Sequence, residues 1–279
     1  MIDLSGFGLI RDPATYLMGL ETPLGVYARR EILHETVRGE AGLARDLARS
    51  IKSAQEKEGH WNGSLFETSF RLIDLGYLRL GMTDRVVKAA VEWITARERG
   101  KRAEPKAVFE SAEADLERFA RLYVGDRIPS DRSAFFLGGC IALRALLGVG
   151  AGRRAAITRA IDELKRIINK GKGFYCCGRC TPGAHQALAM SLTVRRSPLR
   201  KVMLAWYADN WQPNGIGWVG TPLFHALDAI GLLGGEEAKP LVEGILPHLA
   251  QTQNLDGSWG GTFRPEKTLA VVRALTVLL

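Results

Sequence analysis

Long apolar runs are missing from this chain. No stretch reaches the roughly 18 residues that a membrane-spanning helix needs, so the sequence predicts no integral membrane segment. The opening residues, Met1 to Ser5, lack the basic stretch and apolar core of a secretion signal. That predicts a cytoplasmic protein. Cysteine is scarce, with 4 in 279 residues, and three of them crowd together at Cys176, Cys177 and Cys180. In a reducing compartment such clustering points to metal binding or thiol reactivity rather than a disulfide framework. Alternation of period two is also missing, which excludes an extensive sheet and predicts an all-α protein. A concentrated basic strip is absent too. The net charge of +8 arises from 38 basic and 30 acidic residues, with only small clusters at Arg29-Arg30, at 97–102 and at Arg195-Arg196. This scatter predicts no nucleic-acid partner and is compatible with attraction for a diphosphate or an acidic lipid surface.

What is present is a repeat. Gln55, Gly59 and Trp61 fit a Gln-x-x-x-Gly-x-Trp pattern, and Gln253, Gly257 and Trp259 fit it equally. Degenerate copies surround Gly173 with Tyr175, and Gly215 with Trp218; Gly173, Gly215 and Gly257 are evenly spaced, 42 residues apart. Before each turn an amphipathic helix is predicted, at 44–54, 85–96, 154–168, 199–211 and 238–252. In the last of these, Leu241, Ile245, Leu249 and Thr252 are expected to form the buried stripe. After each turn a more apolar helix is predicted, at 68–80, 133–147, 185–194, 224–233 and 266–279. An extra N-terminal helix is expected at 22–38. Glycine permits the sharp exit from the first helix, the tryptophan is expected to stack over the next helix, and the glutamine amide to cap exposed backbone groups. One helical pair cannot bury its own apolar face, so the pairs must stack, either as a solenoid or as a closed ring. The reading is therefore a single domain over 1–279, an α/α toroid of about five to six helical hairpins. A charged insertion at 101–130 interrupts it, either a solvated helix or a lid on one face.

The two intact turns resemble the repeats of squalene–hopene and oxidosqualene cyclases, and the helical-pair architecture is similar to that of protein prenyltransferase β subunits. The resemblance spans about residues 41–279 and implies a toroid with a central apolar cavity for an isoprenoid or other lipid-like ligand. It implies a terpenoid cyclase or prenyltransferase type of activity, with a partner subunit as in the β subunits. The Asp-x-Asp-Asp motif by which such cyclases protonate an alkene is absent, as is the Gly-Cys-Gly-Glu-Gln motif of thioester toroids. In the prenyltransferases a zinc ion is held by Asp, Cys and His. The segment from Gly173 to His185 is similar to that family's Gly-Arg-Cys segment, with His185 near its Asp position. Phe224-His225 is similar to its Tyr-His, while its Cys position is not a cysteine here.

The repeat register leads to the same residues independently. Seven residues before the leucines at 75, 192, 232 and 275 stand Thr68, His185, His225 and Thr268. The two histidines therefore occupy equivalent places at the starts of successive apolar helices. Cys177 and Cys180 form a Cys-x-x-Cys pair just before His185. Two thiolates and two imidazoles make a tetrahedral zinc set, with Cys176 or Cys140 as substitutes and Asp228 able to ligate or orient His225. The alternatives are small turn and core residues without metal, or a redox Cys-x-x-Cys. Asp74 and Asp228, alone in apolar helices, are further candidates because an unpaired charge there is costly. Trp61, Trp218 and Trp259 read as structural, as do Trp93, Trp206 and Trp211 on the amphipathic helices. His34, His60 and His248 are expected on exposed positions. The expected function is a terpenoid cyclase- or prenyltransferase-like protein with zinc at the cavity rim. The alternative is a non-catalytic toroid for a lipid, peptide or partner protein, with structural zinc.

Overall fold

The computed structural model describes residues 4–97, 131–170, 181–194, 199–212, 217–218 and 221–279. The expected insertion at 101–130 and the cysteines 176, 177 and 180 lie outside these residues. Helix dominates what is described. The elements are α1 (Pro13–Met18), α2 (Pro23–Tyr27), a π-helical stretch (Ala28–Leu33), α3 (Glu40–Ser53), α4 (Leu65–Tyr77), α5 (Arg85–Thr95), α6 (Asp131–Gly148), α7 (Ala155–Lys170), α8 (Thr181–Val194), α9 (Leu199–Asp209), α10 (Leu223–Leu233), α11 (Lys239–Glu243), α12 (Leu246–Thr252) and α13 (Arg264–Leu275). Short 3-10 turns stand at Ser5–Phe7, Glu236–Ala238 and Thr276–Leu278. The chain groups into two compact units, one of Ala48–Arg195 and one of Met1–Leu47 with Arg196–Leu279.

In the unit of Ala48–Arg195, the helices alternate in character. The apolar α4, α6 and α8 pack side by side, and α5 and α7 each bury one stripe. On α5 the stripe is Val87, Ala90, Val91 and Ile94, the 3.6-residue spacing of an amphipathic helix. Ser64 caps α4 by accepting from the Glu67 amide at 3.1 Å. Asp84 caps α5 by accepting from Val86 at 2.9 Å, and also receives the Lys52 ammonium at 2.6 Å. Small residues let the apolar helices approach: a Cβ at Gly183 would stand 2.5 Å from Leu137 and 3.2 Å from Cys140.

The other unit holds α1, α2, the first residues of α3, and α9 to α13. Its tightest pair is α10 against α13. There Gly231 lies so close to the backbone of Arg273 and Ala274 that a Cβ would meet it at 2.9 Å. Arg200 on α9 closes the far end of α10, its guanidinium donating to the carbonyls of Leu233 and Gly234. The segment expected as one helix over 238–252 is broken into α11 and α12, with Pro240 and Pro247 each in the first turn of a helix. The break shifts the stripe to Val242, Ile245 and Leu249, while Leu241 is half-buried and Thr252 exposed. The helix expected at 22–38 ends at Leu33, because His34 turns into the left-handed region. One small antiparallel pairing, Trp211–Gln212 with Gly217–Trp218, replaces the all-helical expectation at that turn.

The two intact turns have the same construction. In one, the Gly59 amide donates to Glu56 and the Glu56 amide to His60; in the other, Gly257 donates to Asn254 and Asn254 to Ser258. Both glycines need positive φ, 94° and 88°. Gln55 donates to its own Gly59 carbonyl at 3.1 Å and to Val86, at the start of α5, at 2.9 Å. Gln253 donates to Gly257 at 3.1 Å and to Arg11, just before α1, at 2.8 Å, and accepts from the Arg11 amide at 3.0 Å. The indoles of Trp61 and Trp259 do not reach forward to the next helix. They turn back and donate to Ile51 and Leu249, at the end of the helix already traversed, at 3.0 and 2.9 Å. Trp218 does the same to Tyr207 at 2.8 Å. Each such bond satisfies a carbonyl that the ending helix leaves orphaned.

By this equivalence the N-terminal segment stands after the last repeat as α5 stands after the first. Gln253→Ala is expected to cost about 1–3 kcal/mol, since it strands buried backbone groups, read as a lower urea midpoint. An unchanged midpoint would show that the clamp on Arg11 carries no stability. A second expectation concerns acid. Burial pushes the Asp84 carboxyl up, but Lys52 and the Val86 and Val87 amides together bring it below the usual carboxylate range. A lowered folded value stabilises above the unfolded value and is lost as pH falls through the folded one. Urea titrations from neutral pH into that acid range are expected to show a smaller acid loss for Asp84→Asn than for the unaltered chain.

Candidate functional site

The charges buried in apolar helices meet in the unit of Met1–Leu47 and Arg196–Leu279. Asp228 stands in the middle of α10, in the run Leu227-Asp228-Ala229-Ile230. Arg273 stands near the end of α13, in Val271-Val272-Arg273-Ala274. Each is about 95% shielded from solvent, and they form a buried ion pair. The remaining guanidinium nitrogen donates to the Tyr27 hydroxyl at 3.3 Å, and the Arg273 charge also lies 5.7 Å from the Tyr27 ring centre. A fourth member is Tyr207 on α9, fully buried. Burial, and next the negative charge of Asp228, hold its phenol protonated well above the ordinary tyrosine range. Four segments, α2, α9, α10 and α13, are thus tied to one charged centre. A carboxylate spent on a guanidinium in this way is an ion-pair member, not a donor of a proton to an alkene.

A second buried charge cluster lies in the same unit. Arg29 and Arg30 both donate to Glu40 at the start of α3, and Arg29 also donates to the Met18 and Leu20 carbonyls at 2.9 Å. The first basic cluster of the sequence is therefore spent on holding the α1–α2 hairpin against α3.

The register that joined Thr68, His185, His225 and Thr268 has a structural meaning. Thr68 accepts from the Trp61 amide at 3.1 Å, and Thr268 from the Trp259 amide at 3.2 Å. In the regular repeats this position ties the apolar helix to its own turn. His185 is completely buried in the first half of α8, in the unit of Ala48–Arg195, with Ala184 and Gln186 buried beside it. His225 is half-buried on α10 in the other unit. Cys177 and Cys180 lie outside the described residues, and Cys140 is buried on α6. Asp74 is half-buried on α4.

The sequence reading missed Arg273, Tyr27 and Tyr207. The signal available was Arg273 within the apolar run from Leu269 to Leu275, opposite in sign to Asp228 within α10; each charge is costly unless it meets a partner. It also missed Lys267 on α13, whose ammonium lies 5.5 Å from the Phe224 ring centre at the start of α10. Elsewhere, among the described residues, Glu56, Glu58 and His60 bring one ligand atom each within 4.8 Å, a geometry that could hold a metal ion. The two glutamates are exposed, and the His60 ring rests on Trp93, their centroids 5.0 Å apart. His60 Nδ1 accepts from the Gly63 amide at 2.9 Å, which commits one ring nitrogen to the turn.

No family model and no curated protein matches the chain.

Breaking the buried pair leaves an uncompensated charge. Asp228→Ala is expected to lose about 3–5 kcal/mol, while Asp228→Leu combined with Arg273→Met recovers most of it. Denaturant unfolding of Asp228→Leu, of Arg273→Met and of the two combined provides the check. Additive losses would mean that the pair is not coupled.

Proposed function

We propose that the chain is a terpenoid cyclase- or prenyltransferase-like toroid whose apolar interior takes an isoprenoid or other lipid-like ligand and whose rim carries zinc. The observation that supports this most is the shared construction of the turns at 55–61 and 253–259, with the same glutamine clamp and the same backward indole bond. A helical pair built this way recurs because each pair needs the next to cover it. The docking of Gln253 on the N-terminal segment supports closure of the array, since α1 takes the place of a following repeat.

For zinc, the donor set is Cys177, Cys180, His185 and His225. Two thiolates and two imidazoles suit a tetrahedral zinc ion. The complete burial of His185 at the start of α8 suits a ligand shut away from solvent. Where the regular repeats carry a threonine bonded to the turn, these two repeats carry imidazoles at the same register, donors that zinc accepts. Zinc with an open position would supply Lewis acidity or an activated thiolate.

A second reading, a non-catalytic toroid with structural zinc, is favoured by one observation. Asp228, an acidic residue within an apolar helix, is spent on Arg273 and cannot start a protonation-driven cyclisation. Four protein ligands would likewise close the zinc.

Elemental analysis of the purified chain is expected to find about one zinc per molecule, with loss in both Cys180→Ala and His225→Ala. A metal-free preparation would remove zinc from the proposal, and retention in His225→Ala would confine the metal to the cysteine turn. Farnesol and farnesyl diphosphate are expected to raise the melting temperature. A ligand at a hundred times its Kd adds about 2.7 kcal/mol. No rise with either compound would overturn the isoprenoid reading.

A further inference from the structure

One lysine is set apart from the others. Among the described residues, Lys52, Lys165, Lys201 and Lys239 each have a carboxylate within 4.0 Å, at Asp84, Asp162, Glu237 and Glu236. Lys57 and Lys88 are exposed. Lys267 is half-buried and has no salt bridge to a described carboxylate. Its chain lies along the bare backbone of Gly260, where a Cβ would meet its Cδ at 2.7 Å and its Nζ at 3.1 Å. Its ammonium faces the Phe224 ring.

Each feature of this setting bears on the amine. Burial takes water from the ammonium and lowers it from the ordinary lysine range; the charge of its neighbour Glu266 opposes this. Lys267 is the fourth residue of α13, near the positive end of that helix, where a cation is disfavoured. The first-turn cation Arg264 is paired with Asp256 at 2.8 Å. The Phe224 face favours the cation, but such a contact is weak at a partly exposed site. Lysines desolvated against an apolar wall are those that act as nucleophiles.

We propose that Lys267 is a nucleophilic amine that condenses with an apolar aldehyde or ketone lying against Phe224. The neutral Nζ attacks the carbonyl carbon and forms the C–N bond. The carbonyl electron pair moves to oxygen, which takes up a proton. In all, both amine protons pass to that oxygen, which leaves as water, and the nitrogen lone pair closes the C=N bond of the Schiff base. The site depends on neither the zinc set nor ring closure.

The test is reductive labelling of the full chain near neutral pH, with decanal and cyanoborohydride, followed by peptide mapping. Lys267 is expected to label several-fold faster than Lys57 and Lys88, because burial disfavours its ammonium form. Decanal is expected to discriminate in favour of Lys267 more than acetaldehyde does, and Phe224→Ala to abolish that difference. Lys267→Arg, with folding checked by circular dichroism, is expected to remove the fast-labelled peptide. Labelling of Lys267 no faster than Lys57 and Lys88 would overturn the proposal. Equal discrimination with both aldehydes would overturn the apolar ligand.

Discussion

The structure depends on how each helix is allowed to end. An α-helix leaves its last carbonyls without partners, and burying that end without compensation is costly. Here the tryptophan of the turn folds back and its indole N–H satisfies a carbonyl of the helix just left, in Trp61, Trp218 and Trp259 alike. The glutamine then spends its amide twice, once on its own turn and once on the segment that follows. One turn thereby closes one helix and orients the next. That is why the same few residues recur while the helices between them vary.

With the ends secured, the apolar helices can be placed close together, and bare backbone at Gly183 and Gly231 sets how close. Close packing leaves little room for a lone charge. Asp228 and Arg273 therefore meet across α10 and α13, with Tyr27 and Tyr207 shielding them. A buried pair of this kind is weak evidence for net stability and better evidence for a fixed register. It ties the N-terminal α2 to the C-terminal repeats, as Gln253 does for α1. The functional proposals draw on positions where the repeat departs from its own rule, His185 and His225 in place of a threonine, and on Lys267, which has no salt bridge among the described residues where the other half-buried lysines have one.

Much of the fold was legible in residues 55–61 and 253–259. The pattern is local, and the positive φ of Gly59 and Gly257 follows from it. The helices after the turns were legible as well, within a few residues, because their apolar character is continuous. The direction of the tryptophans was not legible, since an indole can stack forward or donate backward with the same spacing. Nor was the break between α11 and α12, where Pro240 and Pro247 overrode an amphipathic pattern that continued across them.

By itself, the sequence determined the helical class, the repeat and the turns, because these rest on contacts within about ten residues and on backbone preferences of glycine and proline. It also singled out Asp228 as a costly charge. Only the tertiary structure decided what became of that charge: its partner Arg273 lies 45 residues away on another helix. The same holds for Arg11, 242 residues from the glutamine that clamps it, and for Lys267 against Phe224. Charge and burial are properties of a place in three dimensions, and spacing along the chain does not specify which distant groups share it.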